Sequence, residues 1–168
     1  MKNKYPAIPK SLNGAKLFCK RLCKKFNISQ IEFDDKWHNF EGQYNQAASA
    51  GDSIECSRYS PWNYDLLIFA VMHEIGHIEN SKIRTEDCPT NYANKHIWTC
   101  EFECWHFAIN LWMKTFNQNI SVKLARYAMM NLTSYIPDYN SCEYEMLDNV
   151  EEQATNFWCP ITEKILLK

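Results

Sequence analysis

At 168 residues and 19.9 kDa, with 46% hydrophobic and 23% charged residues, the chain reads as one ordinary globular domain spanning residues 1–168. Six Trp, nine Tyr and nine Phe against only four Gly favour a compact fold and argue against a disordered scaffold. The net charge of −2 is not that of a basic nucleic-acid-binding chain, which makes nucleic acid an unexpected partner.

The longest apolar run, Leu66 to Met72, is seven residues, far short of the ~20 that cross a bilayer, so no membrane span is expected. The first 30 residues lack the apolar core and small-residue cleavage site of a secretory signal, and a reducing cytoplasm is the expected location. The eight cysteines then read as thiols, mostly small buried hydrophobes. Cys88, His96, Cys100 and Cys104 form a weaker candidate for a second metal site, with poor spacing for a zinc ribbon. Charge is segregated: residues 1–31 hold eight Lys or Arg and no acid, whereas Tyr127 to Glu163 hold seven acids and no Lys or Arg. Two solvated faces, or a basic helix packed near an acidic one, explain this better than a nucleic-acid patch.

In chain order, Ala15, Phe18, Cys19, Leu22, Cys23 and Phe26 follow helical spacing, with lysines and Arg21 on the remaining face. Three short strands are expected next, at residues 28–34 (ISQIEFD), 39–46 (NFEGQYNQ) and 53–59 (SIECSRY). Ser60-Pro61 signals a helix start, and the apolar run through Met72 carries that helix to about Asn80. Residues 81–96 read as a loop. Trp98, Phe102, Trp105, Ile109, Trp112 and Phe116 then define a long core helix. Further helices are expected from Ser121 and around Cys142 to Phe157. The fold class is therefore α+β: a short three-stranded sheet, a central helix and additional packed helices.

Within the central helix stands His73-Glu74-Ile75-Gly76-His77. Residues four apart lie one turn above the other, so His73 and His77 can direct imidazole nitrogens at one point. Glu74 lies about 100° around the axis, where its carboxylate can meet a water on a metal without ligating the metal itself. Two zinc ligands plus a general base for water attack is the chemistry of H-E-x-x-H. Gly76 leaves room for close approach of neighbouring backbone or substrate.

Catalytic zinc usually takes a third protein ligand. No third histidine follows at metzincin spacing, which leaves Glu101, Glu103, Glu151 and Glu152 as carboxylate candidates. With the aromatic stripe taken as zero, Glu101 lies about 60° from its centre and Glu103 about 140° away. Glu101 therefore borders the buried face and is the chosen ligand, since a metal supplies the compensation a buried carboxylate needs. Tyr135, Tyr139, Tyr144 and His106 are the available oxyanion donors, and nothing in the sequence chooses among them.

HEIGH, followed 24 residues after its last His by the Glu101 of CEFECWHFAINLW, resembles the ImmA/IrrE-like zinc metallopeptidases. Their pattern is HELGH and then a helix of the form E-x-E-A-N-x-F-A. Glu101, Glu103, Phe107 and Ala108 match the second motif, while Cys104 and Trp105 stand where Ala and Asn are usual. The resemblance covers about residues 31–116. It implies a small zincin-like domain and a cytosolic, often phage-associated peptidase whose protein substrate is a regulator, commonly a transcriptional repressor. It also implies substrate lying along a sheet edge, by analogy Ser53 to Tyr59. A different class of function is a non-catalytic zinc-containing protein that binds a partner protein or nucleic acid through its basic N-terminal helix. A merely structural site has no need of Glu74, which favours the peptidase.

Overall fold

The computed structural model describes residues 5–34, 46–58, 63–83 and 94–133. Their architecture is mixed, four helices and a short sheet, in line with the α+β class. The chain divides into two compact units, Met1–Asp87 with Glu103–Gln118, and Cys88–Phe102 with Asn119–Lys168.

Helix α1 spans Leu12–Lys25 and starts at Ser11, whose Oγ accepts a bond of 3.1 Å from the Gly14 N–H. It ends in a paired stop. The Ile28 N–H reaches back to Cys23 O at 3.0 Å and the Asn27 N–H to Lys24 O at 3.2 Å. Asn27 sits at φ 56, in the left-handed region that asparagine tolerates better than most residues, and buried Ile28 seals the end. Lys82 adds a 3.3 Å bond to the Phe26 carbonyl. This stop turns the chain directly into the sheet.

Strand β1 is Gln30–Phe33, β2 is Gln46–Ala50 and β3 is Ser53–Arg58. β3 lies between the others, parallel to β1 and antiparallel to β2. Gly51, at φ 61, takes the positive-φ first position of the two-residue turn joining β2 to β3. Ile54 and Cys56 alternate with the less buried Ser53 and Glu55, so one face of β3 feeds the core.

Helix α2, Tyr64–Ile83, packs on α1, β2 and β3. Neighbours on several sides bury every residue from Leu66 to Met72, which is why this helix shows no polar stripe there. Helix α3 runs Asn94–Phe116, and its residues from Glu103 onward belong to the first unit. There the predicted stripe forms an aromatic column: Phe18 stacks on Phe116 at 5.2 Å, Phe116 meets Trp112 at 4.6 Å, and Phe69 meets Trp112 at 6.0 Å and Trp105 at 5.5 Å. Such pairs each contribute about 0.5–1.5 kcal/mol beyond the area they bury. In the second unit, α4 spans Val122–Thr133, with Ser121 Oγ accepting from the Leu124 N–H at 3.3 Å. Among the described residues no helix is long and apolar enough to cross a membrane.

Several expected boundaries move. α2 is described from Tyr64, where the Asn63 carbonyl accepts from the Leu67 N–H at 3.1 Å, and continues three residues past Asn80, while Ser60 and Pro61 lie outside the described residues. The strand expected at 39–46 lies outside the described residues but for Gln46, which begins β2, and the small residues that follow it in QAASA gave no strand signal. Of the segment expected at a sheet edge, Ser53–Arg58 is β3, which pairs on both sides and is not an edge, and Tyr59 lies outside the described residues. The helix expected near Cys142 to Phe157 lies outside the described residues.

Cys19, Cys23 and Cys56 are buried free thiols. Burial pushes all three up, Cys23 from 9.0 to about 11, and the neighbouring thiols raise Cys19 and Cys56 further. A raised acid stabilises the fold while it stays neutral, so this contribution is fully present below pH 9.0 and is lost as pH climbs through about 11. The urea midpoint, followed by circular dichroism, is expected to fall across that window, and to fall less in Cys23→Ala.

Candidate metal centre

The middle of α2 breaks its own apolar character. His73 and Glu74 are only 5% and 7% exposed, inside a segment otherwise made of Val71, Met72, Ile75 and Ile78. Buried polar groups of this kind need partners, and a metal is one way to supply them. The helix places the two imidazoles as the four-residue spacing requires, with His73 Nε2 and His77 Nε2 3.0 Å apart. Two nitrogens bound at 2.0–2.1 Å to one tetrahedral ion stand roughly 3.3 Å apart, so the pair needs only a slight opening. Ligand atoms of His73, Glu74 and His77 all lie within 4.8 Å of one another. Two imidazoles and a carboxylate form a group able to hold a transition-metal ion, and this donor set suits zinc.

The rings are held from α3. Cys104 Sγ lies 3.3 Å from His77 Nδ1, and Asn80 Nδ2 donates to the same sulfur at 3.4 Å. Trp105 stacks on His73, with ring centroids 3.8 Å apart and planes inclined by 22°. These are the two positions at which the sequence departs from the motif it resembles. Their roles were not legible beforehand, because no spacing rule says which residue of one helix meets which residue of another.

Gly76 explains the proximity. A Cβ there would lie 3.1 Å from both the Cα and the carbonyl oxygen of Cys104, so only glycine lets α3 backbone come this close. The close approach expected at Gly76 is thus made by neighbouring backbone.

The remaining candidates are placed as follows. Glu101 lies on the α3 turn that belongs to the second unit and is 9% exposed, whereas Glu103 is exposed, in agreement with helix phase. Cys100 stands one turn before Cys104 on α3, and neither is in a disulfide. His106 is exposed, 3.3 Å from Asn110 Nδ2. Glu151, Glu152, Tyr135, Tyr139, Tyr144 and Cys88 lie outside the described residues. Cys56 lies near Glu74: after burial and Cys23, the Glu74 charge is the next influence that pushes its thiol up.

No family profile matches the chain, and neither a curated relative nor a solved structure is similar to it.

Gly76→Ala sets two effects against each other. Helix propensity gains about 1 kcal/mol, while overpacking against backbone that cannot swing aside costs about 1–3 kcal/mol. Urea titration is expected to show net destabilisation of up to roughly 2 kcal/mol, with zinc affinity reduced as Cys104 is pushed from His77.

Proposed function

We propose that the chain is a zinc-dependent endopeptidase with a small zincin-like α+β fold. One observation carries this reading: two buried-helix imidazoles aim Nε2 atoms at each other across 3.0 Å, with the Glu74 carboxylate in the same cluster. A site that only held a structural ion would have no use for Glu74. His73 and His77 hold the ion as neutral imidazoles, and Glu101 is the third ligand. Its support is the need of a catalytic zinc for a third protein donor.

A bound Zn²⁺ supplies acidification of a water and polarisation of the scissile carbonyl. Glu74 does the proton work. Its carboxylate accepts a proton from the attacking water and returns it to the leaving amine nitrogen, which turns a poor leaving group into a neutral one. Glu74 is only 7% exposed, which limits competition from bulk water for that carboxylate. The resemblance to ImmA/IrrE-like peptidases suggests a cytoplasmic regulatory protein, such as a repressor, as the substrate.

A second reading is a zinc-containing binding protein that contacts a partner through α1. It is favoured by an open cavity of about 680 Å³ beside that helix, where Arg21, Lys25 and Lys114 surround Phe18, Phe26 and Phe107. Changing Lys20, Arg21, Lys24 and Lys25 to Gln is expected to leave zinc binding intact. A large loss of nucleic-acid affinity with a shallower salt slope would favour this reading over the peptidase.

Glu74→Gln preserves the shape of the side chain but not its basicity. Zinc content after dialysis should match the parent while peptide hydrolysis falls about 100- to 10,000-fold; cleavage at the parental rate would refute the mechanism.

Glu101→Ala is expected to lower zinc retention sharply, and Glu103→Ala to change it little. Zinc lost only on changing Glu151 and Glu152 together would move the third ligand to the C-terminal segment.

A further inference from the structure

We infer that Cys104 is a positioning residue for the metal centre: its sulfur accepts the Nδ1–H of His77 and so aims the opposite nitrogen, Nε2, at the ion. The inference rests on the zinc reading above and concerns a residue that reading does not use.

An imidazole that binds a metal through Nε2 carries its proton on Nδ1, and that N–H needs an acceptor to set both tautomer and ring orientation. Carboxylates, backbone carbonyls and waters commonly serve. Here the atom facing His77 Nδ1 is Cys104 Sγ, at 3.3 Å, within the range for a bond to sulfur. Cys104 is 0% exposed, so bulk water does not compete for this contact. The sulfur is itself held. Asn80, three residues after His77 on the same helix, donates its Nδ2 to Sγ at 3.4 Å. With Nδ1 protonated, as ligation through Nε2 requires, two N–H groups would converge on this one sulfur.

The backbone supports the same assignment. The sulfur reaches Nδ1 because the Cα of Cys104 is pressed against α2, at the place where Gly76 has no side chain. A longer acceptor such as Asp or Asn at position 104 would have to fold back on itself in that space, whereas cysteine puts an acceptor one bond beyond Cβ. Trp105, next in the chain, stacks on His73. One dipeptide of α3 thereby braces both imidazoles, one by a hydrogen bond and one by ring contact.

The experiment compares parent, Cys104→Ala, Cys104→Ser and Asn80→Ala. Zinc dissociation constants come from chelator competition, absorption spectra from the Co²⁺-substituted forms, and metal-free stability from thermal unfolding. Cys104→Ala is expected to weaken zinc binding about 10- to 100-fold, with metal-free stability close to that of Cys104→Ser. Cys104→Ser, which keeps an acceptor, should recover most of the lost affinity, and Asn80→Ala should weaken binding only a few-fold. The Co²⁺ form of the parent should show no thiolate-to-cobalt charge-transfer band. A band that disappears in Cys104→Ala would make the sulfur a ligand and overturn the inference, as would unchanged zinc affinity in Cys104→Ala. A parent that binds no zinc would instead overturn the zinc reading, so the two failures are distinct. Should Cys104→Ala not fold, Cys104→Ser and Asn80→Ala still decide: parental affinity in Asn80→Ala together with a large loss in Cys104→Ser would overturn the positioning role.

Discussion

The arrangement of the first unit around the histidines depends on the contact of α2 and α3 at Gly76. A hydrogen in place of a methyl lets the Cys104 backbone lie where any other residue would put a Cβ at 3.1 Å. Glycine inside a helix costs about 1 kcal/mol relative to alanine, and the tight packing offsets that cost. Every side chain that braces the histidines depends on this approach. With α3 held further off, Cys104 would lose His77 and Trp105 would slide off His73.

The aromatic column keeps that contact in register. Phe18, Phe116, Trp112, Phe69 and Trp105 touch in succession from α1 to the edge of the histidine pair, and His73 continues the series. Large flat rings tolerate little sliding without opening voids, so the column transmits the position of α1 and α3 to the ring of His73. The histidines stand at the end of a packed core, and such a supporting shell is what the proposed metal site would require.

Within this apolar setting, His73 and Glu74 are the buried polar residues of α2, and burying such groups costs free energy unless it is compensated. The three buried thiols nearby are the contrasting case: Cys19, Cys23 and Cys56 are kept neutral by burial and serve as small apolar side chains, with no partner demanded. The difference separates residues that fill the core from residues whose burial calls for a function.

Much of this was legible in the chain. Helical spacing alone identified α1, the stripe of α3, the shared face of His73 and His77, and the contrast between buried Glu101 and exposed Glu103, because each follows from the 100° step of one helix. Residue chemistry marked Gly76 as a point of close approach. QAASA carried no strand signal, since its pairing comes from β3 and not from its own propensity. The placement of Ser53–Arg58 in the middle of the sheet was equally hidden, as strand order is a property of the pairing and not of any one strand. What the sequence by itself determined is local: which residues share a face, and that two imidazoles and a carboxylate meet at one turn of α2. Only the tertiary structure decided that a cysteine and a tryptophan of α3 brace those imidazoles, because contacts between helices depend on how closely their backbones approach, and that distance is set by packing across the core.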